Sequence, residues 1–137
     1  MTINYLAVAV ATVAEFIIGA IWYMPIFGSL WRKIHGFDDL SKADKQAAQK
    51  QMMPLLVIQL IITAATTVVL AKLMLMLPDY SAYKLAAMAW VGFVVPTQIA
   101  AIIFGGTPPK WMVTKALIMA SGSFACLMTA VAILSAF

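Results

Sequence analysis

The polar side chains that could carry chemistry in this sequence lie inside long apolar runs. Glu15 interrupts the first of these runs, and the other candidates are Gln59, Gln98, Ser121 and Lys115. An ionised carboxylate at the centre of a membrane-spanning helix costs roughly 2.5–3.5 kcal/mol on insertion scales. In such surroundings the carboxyl group either stays protonated or faces polar partners inside a helix bundle. Glu15 is therefore the leading candidate for a functional group.

Residue counts place most of these candidates at a similar depth. Glu15 lies nine residues from Met24, and Gln59, Gln98 and Ser121 lie five, six and nine residues from the same end of their own runs. At 1.5 Å per helical residue, these positions are roughly 7–14 Å from that end. Lys115 lies one turn inside the last run and reaches Glu15 only if its side chain points inward.

Two interpretations of these polar residues stay open. They form either a polar site, such as a proton-linked path, or a packing cluster in which each interhelical hydrogen bond contributes about 0.6–2 kcal/mol. For the glutamines and Ser121, packing is favoured. For Glu15 neither interpretation is favoured, because packing alone rarely requires an ionisable group at this depth.

The composition identifies the solvent of this chain as lipid. Of its 137 residues, 64% are hydrophobic and 10% are charged, against roughly 45–50% and about 25% in soluble domains. So few charged side chains exclude both an ordinary soluble domain and a disordered chain. The net charge of +4 does not indicate nucleic acid, because five of the nine cations lie in one connecting segment.

Four apolar runs are long enough to cross about 30 Å of hydrocarbon. They cover residues 3–24, 54–77, 85–104 and 112–136. We therefore predict an all-α protein, a single integral-membrane domain over residues 1–137, with four transmembrane helices in an up-down bundle.

The first connection, residues 25–53, predicts two further helices. Phe27, Leu30, Trp31 and Ile34 recur at helical spacing, which predicts a short interfacial amphipathic helix that ends at Gly36.

A second helix is predicted over residues 42–53, on the cytoplasmic side. Ser41 is its expected N-cap, with Asp44 three residues later. A kink or a fresh helix start is expected at Pro54.

The cations predict the orientation. Seven of them lie in or beside the first and third connections, against two on the opposite side. This asymmetry predicts that residues 25–53 are cytoplasmic and both termini outside. The expected interfacial anchors at the inner edge include Trp22, Tyr23, Trp31 and Trp111.

No constellation of an enzyme, metal site or cofactor site is evident. His35 is the only histidine, and no other ligand type lies at metal-binding spacing around it. The ten methionines are typical of apolar packing. We therefore predict neither catalysis, nor a metal, nor a cofactor.

Three segments carry a resemblance to a known family. They are GAIWYMPIFGSLW at 19–31, NYLAV at 4–8 and WVGFVVPTQ at 90–98. In these segments the chain resembles a bacterial family of small four-helix inner-membrane proteins of unknown function. The resemblance implies four spans in a bacterial inner membrane and implies no activity.

Two functions are compatible with these features. The first is an oligomeric channel or transporter for an ion, a proton or a small solute, with Glu15 as its intramembrane polar centre. The alternative is a non-transporting accessory or scaffold subunit of a larger membrane complex. Either function implies self-association or a membrane-protein partner, in addition to the lipid bilayer.

Overall fold

The computed structural model describes residues 2–137, and regular structure in that range is entirely helical. The α-helices are α1 (Tyr5–Ile21), α2 (Gly28–Ile34), α3 (Lys42–Met76), α4 (Ala82–Ala89), α5 (Val95–Phe104) and α6 (Met112–Ala136). A π-helical turn, Trp22–Ile26, extends α1, and a second one, Trp90–Val94, joins α4 to α5. Short 3-10 turns cover Phe37–Asp39 and Pro109–Trp111.

Four helical stretches are long and apolar enough to cross a membrane. They are Tyr5–Ile26, Lys42–Met76, Ala82–Phe104 and Pro109–Ala136, with 22, 35, 23 and 28 residues. Even the shortest exceeds the ~20 residues that a bilayer requires. The all-α class and the four apolar helices are therefore confirmed.

Local sequence signals explain several helix ends. The Asn4 side chain accepts hydrogen bonds from the backbone N–H groups of Leu6 and Ala7 and so caps α1. Ser41 likewise accepts from the N–H of Asp44 at the start of α3, as predicted. Gly36, with φ of 64°, has the left-handed backbone that favours glycine after a helix, and it follows α2 as expected.

The expected helix start at Pro54 is not present. Helix α3 runs from Lys42 to Met76 with Pro54 inside it, so the predicted helix 42–53 and the second apolar run form one element. At 1.5 Å per residue its 35 residues measure about 52 Å. Helix α3 is therefore much longer than the ~30 Å hydrocarbon layer.

Helices α1 and α6 form the centre of the fold. Helix α6 packs against α1 on one side and against α4, α5 and the π-helical turn between them on the other. Helix α3 packs mainly against α1 and touches α4 little, although a short connection joins them. The central packing uses small residues, with Ala11, Ala130 and Val131 completely buried, which allows close helix approach.

The connections are distributed over two ends of the bundle. Residues of α2 and of the loop before α6, including His35 and Thr107, line one cleft. At the other end, Tyr5 lies beside Lys72 and Met76. The first and third connections thus share one end, as expected for four spans that run in alternating directions. The cytoplasmic orientation of that end stays a prediction.

Candidate functional site

Glu15 lies at a buried contact between α1 and α3. Only 4% of its surface is exposed. Its carboxyl oxygen Oε2 lies 2.5 Å from Oγ1 of Thr67, which is completely buried on α3. Small or short neighbours on α1, namely Ala11 and Thr12, are buried on the same face and let α3 approach. The contact therefore links α1 to α3 through two buried side chains.

The surroundings of Thr67 indicate how the proton is shared. Its Oγ1 lies 2.8 Å from the carbonyl oxygen of Thr63 as well as 2.5 Å from Glu15. A hydroxyl group has one proton to donate, and a carbonyl oxygen cannot donate. Both contacts are hydrogen bonds at once when a protonated Glu15 donates to Thr67 and Thr67 donates to Thr63. The geometry therefore suits a neutral carboxyl group.

Helix α6 completes the surroundings of Glu15. The Cys126 thiol lies 3.5 Å from the backbone carbonyl oxygen of Glu15, to which it donates a weak hydrogen bond. Three helices, α1, α3 and α6, thus meet at this level of the bundle. Chemically, the cluster offers one carboxyl group and one hydroxyl group, which can bind a proton and fix the helix register.

Gln98 belongs to a second polar cluster, between the third apolar helix and α6. Its Nε2 donates to the carbonyl oxygen of Met119 (3.3 Å), and its Oε1 accepts from the Ser123 hydroxyl (3.4 Å). The indole Nε1 of Trp90, in the π-helical turn, lies 2.9 Å from the Ala120 carbonyl oxygen and 3.0 Å from Ser123 Oγ. These contacts join α5 and the π-helical turn to α6.

Gln59 and Ser121 are not brought to either cluster. Both residues are exposed. Gln59 donates to Thr63 on its own helix (3.4 Å), and the Ser121 hydroxyl donates to the carbonyl oxygen of Leu117 (2.6 Å). The four candidates of similar depth therefore do not converge on one site, because they lie on different helix faces.

Lys115 lies at the end of the bundle and contacts the first connection. Its ammonium group donates to His35 Nε2 (3.2 Å) and to Thr107 Oγ1 (3.4 Å). It also lies 5.6 Å from the centre of the Trp31 ring, within the range of a cation–π interaction. Lys115 thus points towards α2 rather than towards Glu15.

The predicted aromatic anchors lie at this same end. Tyr23 and Trp31 meet edge to face, with ring centres 4.7 Å apart. Trp22 packs inward, where its indole Nε1 donates to the carbonyl oxygen of Ile118 at 3.2 Å. Trp111 lies in the 3-10 turn before α6, and the Lys110 ammonium group is 5.8 Å from the centre of its ring. Trp22 is therefore also a packing residue between α1 and α6.

Thr67 was missed by the sequence reasoning, although one signal was available. Thr67 lies nine residues from Met76 and Glu15 lies ten residues from Tyr5. In antiparallel helices that start and end at the same level, these positions face each other. Trp90 and His35 carried no comparable signal.

The family assignment now follows. A family model described as a protein of unknown function, DUF1761, matches residues 6–135. The chain belongs to this family. The membership confirms the resemblance to a family of unknown function. No curated protein and no solved structure matches the chain. The function must therefore be argued from the arrangement of the residues.

Proposed function

We propose that the protein is a non-transporting membrane component that assembles through α3 with a second copy of itself. The observation that carries this proposal is the exposure of α3. Every residue from 49 to 62 is exposed, which is almost four helical turns without a buried position. Much of this segment is aliphatic and suits lipid or another membrane helix.

A polar row on this exposed helix favours a protein neighbour over lipid. Gln59, Thr63 and Thr66 lie at i, i+4 and i+7, on one face of α3. Gln59 and Thr66 are exposed, and Thr63 is half-buried. In lipid a glutamine amide lacks partners for most of its hydrogen-bonding groups, and polar side chains accordingly associate membrane helices.

A second copy fits this row because the amide is self-complementary. Gln59 carries both donors and acceptors, so two copies of α3 related by a two-fold axis can pair their amides directly. Such isologous contacts are typical of homodimers. The helix length also suits this assembly, since α3 extends beyond the bilayer and can continue the pairing there.

The contact of Glu15 with Thr67 supports a structural role for this carboxyl group. Its carboxyl group pairs with Thr67 of the same chain, at a buried contact between two helices. In this role the residue holds α3 against α1 and so presents the exposed face of α3.

Disulfide cross-linking in membranes tests the pairing. Gln59→Cys is introduced after Cys126→Ala has removed the native thiol, and the membranes are then oxidised. We expect a covalent dimer on a non-reducing gel. Ile61→Cys is the matched control, because Ile61 is 63% exposed and lies on the opposite face at the same depth. Equal cross-linking of both variants, or a monomer that always co-purifies with a different protein, would overturn the proposal.

A second candidate function is proton or ion transport centred on Glu15. The observation that favours it is the ionisable group buried at the meeting point of three helices. Flux in liposomes separates the two functions. A flux in the wild type that Glu15→Gln abolishes supports transport. The absence of flux in both proteins supports the non-transporting component.

A further inference from the structure

A basic cleft lies at the end of the bundle where the first and third connections meet. It has a volume of about 520 Å³, which is in the range of small-ligand sites. It is lined by the end of α2, by the loop between α5 and α6 and by the first turn of α6, with Lys33, His35, Gly106, Thr107, Lys110 and Lys115 among the lining residues. Neither Asp nor Glu is among its lining residues.

The charge of this cleft is uncompensated. Its three lysines come from two separate parts of the chain, so their proximity is produced by the fold and not by one charged run. Residues 2–137 contain one ion pair, in which Arg32 Nε lies 3.5 Å from Asp38 Oδ1. Neither of these residues lines the cleft. An anion that enters would therefore meet three cations without competing carboxylates.

Hydrogen bonds hold the central cation in a defined position. His35 Nδ1 lies 2.8 Å from the carbonyl oxygen of Trp31, and because a carbonyl only accepts, Nδ1 carries the proton. His35 Nε2 is then the acceptor that faces the Lys115 ammonium group at 3.2 Å. Lys115 is thus held by an imidazole nitrogen and a hydroxyl oxygen, and no carboxylate lines the cleft beside it.

Thr107 adds a buried polar group to the cleft. Only 7% of the surface of this residue is exposed. Its Oγ1 accepts a hydrogen bond from Lys115 at 3.4 Å, and its own proton has no acceptor within residues 2–137. A hydroxyl proton and an ammonium group side by side are suitable donors for the oxygens of a phosphate group.

We propose that this cleft binds a phosphate group, held by Lys115, Thr107 and Lys110. The position at the end of the apolar helices, beside the aromatic rings of Trp31 and Trp111, places the cleft at headgroup level. Basic pockets in this position bind the headgroups of anionic lipids. A phosphodiester of an anionic lipid and a free phosphate present the same chemistry to these residues.

Binding measurements on the purified full chain test the proposal. The delipidated protein is titrated with phosphatidylglycerol or phosphatidylcholine and followed by native mass spectrometry, and inorganic phosphate is titrated separately by calorimetry. We expect the anionic lipid to bind at least about tenfold more tightly than the zwitterionic one, because the lysines of the cleft repel the choline cation that the zwitterionic lipid carries beside its phosphate. If inorganic phosphate binds with the same residue dependence, the ligand is a soluble phosphate compound.

Three substitutions assign the binding to this cleft. Lys115→Gln and Thr107→Val should each weaken binding severalfold, and Lys110→Gln should do so without affecting folding, because Lys110 is exposed. Lys84→Gln is the control, since Lys84 is an exposed lysine in α4, outside the cleft. Equal weakening by Lys84→Gln, or no preference for anionic lipid together with no phosphate binding, would overturn the proposal.

Discussion

The indole ring of Trp22 fills the space above Gly122, where any side chain would have to lie. A Cβ atom added to Gly122 would stand 2.8 Å from Cδ1 of Trp22. The ring cannot swing away freely, because its Nε1 donates to the carbonyl oxygen of Ile118, one turn earlier on α6. This contact sets how closely α1 and α6, the two central helices, approach each other.

Gly122→Ala should therefore lower the free energy of unfolding by about 1–3 kcal/mol, the usual cost of overpacking. Thermal unfolding in detergent micelles measures the change. Gly19→Ala is the control, because nothing lies within 4 Å of a Cβ atom at that position of α1, and alanine favours helix more than glycine does. A Gly122→Ala protein as stable as the wild type would show that the helices do not pack this closely.

Thr67→Val should destabilise the protein by about 1–2 kcal/mol, because it leaves the buried Glu15 carboxyl group without its hydroxyl partner. Thr66→Val is a matched control on the adjacent residue. Thr66 is exposed, and its hydroxyl group donates only to the Ile62 carbonyl oxygen of its own helix. The Thr66→Val substitution should therefore leave the free energy of unfolding nearly unchanged. Unfolding in detergent again provides the readout, and equal effects of the two variants would contradict the Glu15–Thr67 link.

Trp90→Phe should cost about 1–2 kcal/mol of stability, because it removes the indole N–H that bonds to Ala120 and Ser123. The control is Trp111→Phe, since no hydrogen bond of that indole is recorded in residues 2–137 and the change should be smaller. The comparison uses the unfolding midpoint of each variant. If the two variants have the same unfolding midpoint, the hydrogen bonds of Trp90 do not stabilise the protein.

The orientation predicted from the cations can be tested with cysteines at Ser41 and Ser81, in a Cys126→Ala background. A membrane-impermeant thiol reagent added to intact cells should label Ser81→Cys and spare Ser41→Cys until the membrane is opened. The physical reason is the excess of lysine and arginine in the first and third connections. Labelling of Ser41→Cys in intact cells would reverse the orientation.

Much of the local structure was predictable because its causes are local. The N-cap at Ser41 and the helix end at Gly36 depend on hydrogen bonds and backbone angles within a few residues. Of the two alternatives predicted at Pro54, a kink or a fresh helix start, the fresh start is wrong. Pro54 removes one backbone donor, but the methionines before it and the leucines after it favour helix, and α3 continues through it.

The sequence by itself determined the class of the protein: an apolar chain with four helices long enough to cross a bilayer, and one carboxyl group inside the first of them. Tertiary structure alone decided which polar groups meet. Glu15 pairs with Thr67, whereas Gln59 lies exposed and Lys115 joins His35. The physical reason is that residue counts give the depth of a side chain in the membrane but not the direction in which it points from its helix. That direction depends on which helix faces pack together, and such packing is set by close contacts between distant residues, such as that of Trp22 with Gly122.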